Sequence, residues 1–137
     1  MPLPANTAFK TLSTPNPTHR VLIVEDGSRL ATLMAKGLQR AGFPSEILRD
    51  GTTVLDKVVG DHFDLILLDL GLAAKDGRLV LHELRSHGVT VPVVIVTACP
   101  INPQDDEIVY TLADEVIRKP FMMKDLVRQV RSLLVAT

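Results

Sequence analysis

The chain predicts an α/β fold, a doubly wound parallel sheet, on three observations. Short apolar runs, Val21-Leu22-Ile23-Val24, Leu65-Ile66-Leu67-Leu68 and Val93-Val94-Ile95-Val96, show no polar alternation, as strands buried on both faces do. Between the runs lie segments with apolar residues at helical spacing, which argues for βα units. Each run then ends in a polar group: Glu25 and Asp26, Asp69, Thr97, and Lys119 with Pro120 after a short further run. Ligands of open α/β sheets bind just beyond the carboxyl ends of the strands, so these groups are expected to converge.

The elements follow in order. Residues 1–18 hold Pro2, Pro4, Pro15 and Pro17 among small polar residues, without period, and read as a flexible leader; the domain runs from 19 to 137. The first strand is expected over 20–25. Ser28 is the expected N-cap of a helix whose apolar face is Leu30, Leu33, Met34, Leu38 and Ala41, and Gly42 ends it. A second strand over 43–48 contains Pro44, which lacks a ladder donor and belongs at a sheet edge. A short helix over 52–59 is expected to bury Val54, Leu55, Val58 and Val59. After a strand over 64–69, Asp76-Gly77 makes the turn into a helix over 78–87. The fourth strand spans 92–97. Pro100 and Pro103 then delay the next helix to about Pro103, an acceptable first helical position. A fifth strand over 114–118 precedes a last helix over 122–135 with Leu126, Val130, Leu133 and Leu134 inward. Five strands and five helices with an edge second strand match the flavodoxin-like order 2-1-3-4-5.

Bulk properties narrow the function. With 137 residues, 46% of them hydrophobic, the chain is one packed domain. A net charge of −1 without a Lys/Arg stripe argues against direct nucleic-acid binding by this segment. The single cysteine, Cys99, cannot form an internal disulfide, which fits a reducing cytoplasm. No apolar stretch is long enough to span a membrane. His19, His62, His82 and His87 lack metal-ligand spacing and read as solvated surface; Cys99 reads as a small filler. Asp105, Asp106 and Glu107 read as charges solvating a helix start.

The converging groups suit a magnesium ion and a phosphoryl group, since a divalent cation prefers oxygen ligands and neutralises both carboxylate and phosphoryl charge. The stretches VLIVED (21–26), DLILLDLGLAAKDG (64–77), VIVTA (94–98) and RKPF (118–121) resemble, in order, the receiver domain of two-component response regulators, over essentially all of 20–137. The resemblance implies that Asp69 accepts a phosphoryl group from a sensor histidine kinase or a phosphotransfer protein, in a protein that catalyses its own phosphorylation and dephosphorylation rather than the turnover of a substrate. It implies Mg2+ held by Asp26, Asp69 and the Gly71 carbonyl, with Glu25 on a metal-bound water. It implies that Lys119 pairs with Asp69 or a phosphoryl oxygen and that the Thr97 hydroxyl donates to the phosphoryl group. The Leu70 and Ala98 amides would complete the cradle, and the Lys119–Pro120 bond would be cis.

The sequence departs from that pattern at three places. Ala73 stands where proline is usual, so the loop after Asp69 is expected to be more mobile. Pro100 and Pro103 occupy the start of the fourth-helix region. Val116 stands at the switch position, where receivers usually carry Tyr or Phe. Three readings therefore stay open: a phosphorylatable receiver; a pseudo-receiver interaction module with atypical output, favoured by Val116; and a magnesium-dependent phosphatase, disfavoured because Gly71 and not an acid lies two residues after Asp69. A homodimer through the 98–135 face is a further expectation, with Asp114, Glu115, Arg128 and Arg131 pairing across a two-fold axis.

Overall fold

A computed structural model describes residues 19–135; the flexible leader expected over 1–18 lies outside the described residues. The elements are β1 (Val21–Val24), α1 (Ser28–Arg40), β2 (Ser45–Leu48), a 3-10 turn (Gly51–Thr53), α2 (Val54–Gly60), β3 (Leu65–Leu68), α3 (Gly77–Ser86), β4 (Val93–Thr97), α4 (Glu107–Leu112), β5 (Glu115–Arg118) and α5 (Met123–Leu134). The strands form one five-stranded sheet in the order β2-β1-β3-β4-β5, every pair parallel.

Strand alternation explains the unbroken apolar runs. Leu22, Val24, Ile66, Leu68, Val93 and Ile95 face one core with Val54, Val80, Leu81, Leu84 and Val109 from α2, α3 and α4. Val21, Ile23, Leu65, Leu67, Val94 and Val96 face the other, with Met34, Leu38, Leu126 and Val130 from α1 and α5. The three central strands therefore have no solvent face on which a polar residue would gain. The outer strands β2 and β5 are only partly buried. Pro44 falls just before β2, where its carbonyl accepts from the Val21 N–H at 2.9 Å and its missing donor is not needed.

Helices α1 and α3 end in the same way. Gly42 (φ 94°) donates to Gln39 and Phe43 donates back to Leu38, while Gly88 (φ 78°) donates to Arg85 and Val89 to Leu84. A left-handed residue closing a helix in this double bond is the glycine-favouring Schellman arrangement.

Four local expectations are corrected. Gly27, not Ser28, is the N-cap of α1, and no side chain caps it. Leu33 is 56% exposed and Val59 is 70% exposed, because Ala31, Met34 and Leu38 in α1 and Val54 and Val58 in α2 already fill the sheet-facing stripes. The helix expected from Pro103 begins at Glu107. Asp106 is not a solvated charge at that start. Its carboxylate accepts from Arg78 Nε at 2.6 Å and from the Asn102 N–H at 2.9 Å, so residues 100–106 fold back onto the beginning of α3 and take up the chain that helix would have used.

Candidate phosphoryl and metal site

Register brings the polar groups together. Val24 pairs with Leu68 across β1 and β3, so Glu25, Asp26 and Asp69 emerge side by side. The Asp69 N–H donates to the Val24 carbonyl at 3.1 Å, continuing the ladder to the site itself. Thr97 pairs with Arg118 across β4 and β5, which brings Lys119 to the same edge, followed by a cis bond to Pro120 as expected.

Glu25, Asp69 and Thr97 are the buried polar residues of the domain among those described. Lys119 Nζ bridges the first two, 2.8 Å from Glu25 Oε1 and 3.0 Å from Asp69 Oδ2. Burial acts to lower the lysine's proton affinity, but the hydrogen bonds and charges of Glu25 and Asp69 outweigh it, and Lys119 is held above its ordinary value. It is therefore a fixed cation at neutral pH. One oxygen from each of Glu25, Asp26 and Asp69 lies within 4.8 Å of the others. Three carboxylates against one ammonium leave excess negative charge at a spot lined by hard oxygen donors, which fits a divalent cation of the magnesium type.

The loops are fixed by backbone donors. Asp69 Oδ1 accepts from the Gly71 N–H at 3.1 Å, Glu25 Oε2 from the Gly27 N–H at 3.1 Å, and Asp26 Oδ2 from the Ala73 N–H at 3.0 Å. The last bond bears on the departure at 73: a proline there would have no N–H, whereas alanine ties the loop to Asp26. Asp76 Oδ1 caps α3 by accepting from the Arg78 N–H at 2.8 Å. Gly77 is required by close approach: a Cβ there would lie 2.3 Å from the Asp69 carbonyl oxygen and 2.6 Å from Leu70 Cα. A Cβ on Gly71 would sit 2.9 Å from Cys99 Sγ, so the half-buried thiol fills the gap between the loops after β3 and β4.

On the far side, the Thr97 carbonyl accepts from the Lys119 N–H at 3.0 Å. In a trans peptide the C=O and N–H point in opposite directions, so the Ala98 N–H is turned away from β5, to the β3 side of β4. Thr97 Oγ1 accepts from the Cys99 N–H at 3.0 Å and keeps its own proton to donate. The structure thus gathers Glu25, Asp26, Asp69, Leu70, Gly71, Thr97, Ala98 and Lys119 at one edge. Val116 stands apart on β5, half-buried against the α4-side core.

Comparison with known proteins agrees with this geometry. The sequence matches the response regulator receiver domain over residues 21–131. It is similar to the transcriptional activator protein IrlR of Burkholderia pseudomallei, 38% identical over 115 residues covering 84% of this chain and 50% of that protein. It is also similar to the alkaline phosphatase synthesis transcriptional regulatory protein SphR of Synechococcus elongatus, 34% identical over 130 residues covering 87% of this chain and 50% of the other. The chain therefore spans about half the length of the curated relatives it matches. Among solved structures, the fold superposes on the response regulator TrrA of Thermotoga maritima in complex with Mg2+ and BeF, with a TM-score of 0.77, 26% identity, and coverage of 85% of this chain and 100% of that one. It matches the Francisella response regulator 1452 receiver domain in fold at a TM-score of 0.78 and 24% identity, covering 85% and 97% of the two chains. Among the described residues no helix is long and apolar enough to cross a membrane. With the fold, the acidic edge and the match over 21–131 in agreement, this chain belongs to the response regulator receiver domain family.

Proposed function

We propose that this domain is a phosphoacceptor switch of a two-component system, taking a phosphoryl group onto Asp69 from the phosphohistidine of a sensor kinase or phosphotransfer protein in the cytoplasm. The observation that carries the reading is the bridge of Lys119 Nζ between Glu25 and Asp69, with Asp26 beside them and Thr97 and Ala98 opposite.

Asp69 Oδ1 or Oδ2 attacks phosphorus, the P–N bond to the donor imidazole breaks, and an acyl phosphate forms. Gly71 N–H and Lys119 Nζ orient the attacking carboxylate. As charge moves from donor to acceptor, Lys119, the Thr97 hydroxyl and the Ala98 N–H stand where the new phosphoryl oxygens arrive. Asp26 and Asp69, with the Gly71 carbonyl, would hold Mg2+, and Glu25 a water on it. When bound, the ion screens the carboxylate and phosphoryl charges from each other. Leu70, buried at 1% exposure, sets the loop that follows Asp69, and its N–H is assigned to the cradle. A donor has a route in: Leu30, the exposed Leu33, Ala98, Lys119 and Phe121 line an apolar groove beside the site.

Titration with beryllofluoride and Mg2+, followed by NMR, tests this reading. Saturable shifts are expected at Asp69, Thr97, Ala98 and Lys119. No binding would sink the phosphoacceptor reading and favour the second one, a pseudo-receiver interaction module, for which Val116 is the specific observation.

A further inference from the structure

Arg118 immediately precedes the site lysine on β5 and is the Cα partner of Thr97. Strand alternation puts its side chain on the same sheet face as Val116 and opposite Ile117, which packs with α1 and α5. From there the guanidinium turns to the loop after β4: Nη1 donates to the Cys99 carbonyl and Nη2 to the Ala98 carbonyl at 3.4 Å. The Ala98–Cys99 peptide is held on its other edge as well, where the Cys99 N–H donates to Thr97 Oγ1 at 3.0 Å.

We propose that Arg118 is a positioning residue for the phosphoryl cradle, acting through the Ala98–Cys99 peptide on the hydroxyl of Thr97. The inference rests on the phosphoacceptor reading and deepens it. Two consecutive peptide planes carry the donors on this side of the site. The Lys119 N–H fixes the first through the Thr97 carbonyl and so aims the Ala98 N–H. Arg118 holds the second at the Ala98 carbonyl, 3.4 Å from Nη2, and anchors the plane after it, Cys99–Pro100, through the Cys99 carbonyl. With the Cys99 N–H delivered to one lone pair of Thr97 Oγ1, the hydroxyl proton is directed away from that N–H and is kept for donation to a phosphoryl oxygen. A forked guanidinium suits two carbonyls on one loop in a way a single ammonium does not. Without Arg118 the loop would have to be ordered when the phosphoryl group binds, and that cost would appear as lost affinity.

The test uses the whole chain, as the parent and as Arg118→Ala and Arg118→Lys, titrated with Mg2+ alone and with beryllofluoride at saturating Mg2+. Arg118→Ala is expected to weaken beryllofluoride binding about fivefold, the scale of one hydrogen bond, with Mg2+ affinity unchanged within about twofold. The metal ligands stand on the loops after β1 and β3, which Arg118 does not touch. Arg118→Lys is expected to recover part of the loss. Parent-like beryllofluoride affinity in Arg118→Ala, tighter binding, or an equal loss in both titrations overturns the assignment. If the parent binds Mg2+ but takes no beryllofluoride, the phosphoacceptor reading falls and this inference with it; if the parent binds and Arg118→Ala matches it, only this inference falls.

Discussion

Asp26 is the carboxylate of the cluster without a lysine partner, and its cost and its use come from the same excess charge. Replacing it with Asn keeps the shape and removes one repulsion among acids within 4.8 Å, so the metal-free fold should gain about 1 kcal/mol while Mg2+ binding is lost. Denaturant unfolding and metal titration of Asp26→Asn check both halves; unchanged metal affinity would remove Asp26 from the site. Gly77 makes the opposite case, a residue whose value is what it lacks. Gly77→Ala forces a Cβ against the Asp69 carbonyl and Leu70 Cα, and backbone must move to admit it. We expect a loss of about 3 kcal/mol in denaturant unfolding, the upper range of overpacking effects. Mg2+ affinity should fall too, because the displaced backbone is that of the acceptor. In the sequence, Asp76-Gly77 is legible as a turn. That its glycine serves close packing rather than a left-handed φ depends on a neighbour in space, which no local pattern encodes.

At the scale of elements, α4 is the part of the fold least determined by its own residues. It has six residues, below the length at which a helix is stable alone, and its N-cap Asp106 gives its carboxylate to Arg78 instead of to the helix amides. Arg78 also donates to the Pro100 carbonyl at 3.0 Å, and Arg85 donates to the Leu112 carbonyl at the other end of α4. Two arginines of α3 therefore hold α4 at both ends. Asp106→Ala should raise amide exchange across 107–112 roughly fivefold while leaving α1 unchanged. Equal protection in the variant would show that the apolar contacts of Val109 suffice. The local rule for proline points to a helix start near Pro103, and the tertiary Arg78–Asp106 ion pair overrides it, so α4 begins only at Glu107. The strands and the long helices were legible because burial on two faces and helical periodicity are written in local order. The acidic site was legible for a related reason, since each of its residues sits at a strand's end. Arg118 and the Ala73 N–H were not, because their role lies in what they reach across the sheet edge; the only local signal is that arginine directly precedes the lysine.

For the whole molecule, charge is organised at the end opposite the site. Arg20 pairs with Asp61 at 2.8 Å and with Glu46, lies 4.7 Å over the Phe63 ring, and shares both acids with Lys57. The Arg20 side-chain hydrogen bond, and then the His62 N–H, hold the Asp61 carboxyl at about 2. A carboxyl depressed in the folded state contributes its stability fully above its ordinary value near 4 and loses it as pH falls from about 4 to 2. Asp61→Asn should thus flatten the thermal midpoint's dependence on pH within that window; a slope equal to the parent's would assign the acid sensitivity elsewhere. The dimer expected through the 98–135 face must compete with intrachain bonds. Asp114 is held by Arg85 and the Val93 N–H, Arg128 by Asp125, and Arg131 by the Ala41 carbonyl. Any such dimer should be weak and salt-sensitive, which sedimentation with beryllofluoride at low and high salt reads directly.

Phosphoryl transfer to Asp69 is read out by intact-mass measurement after incubation with acetyl phosphate and Mg2+. One added phosphoryl group is expected on the parent, mapped to the peptide containing Asp69, and none on Asp69→Asn. A parent that stays unmodified, or an Asp69→Asn variant that is labelled as the parent is, would contradict it.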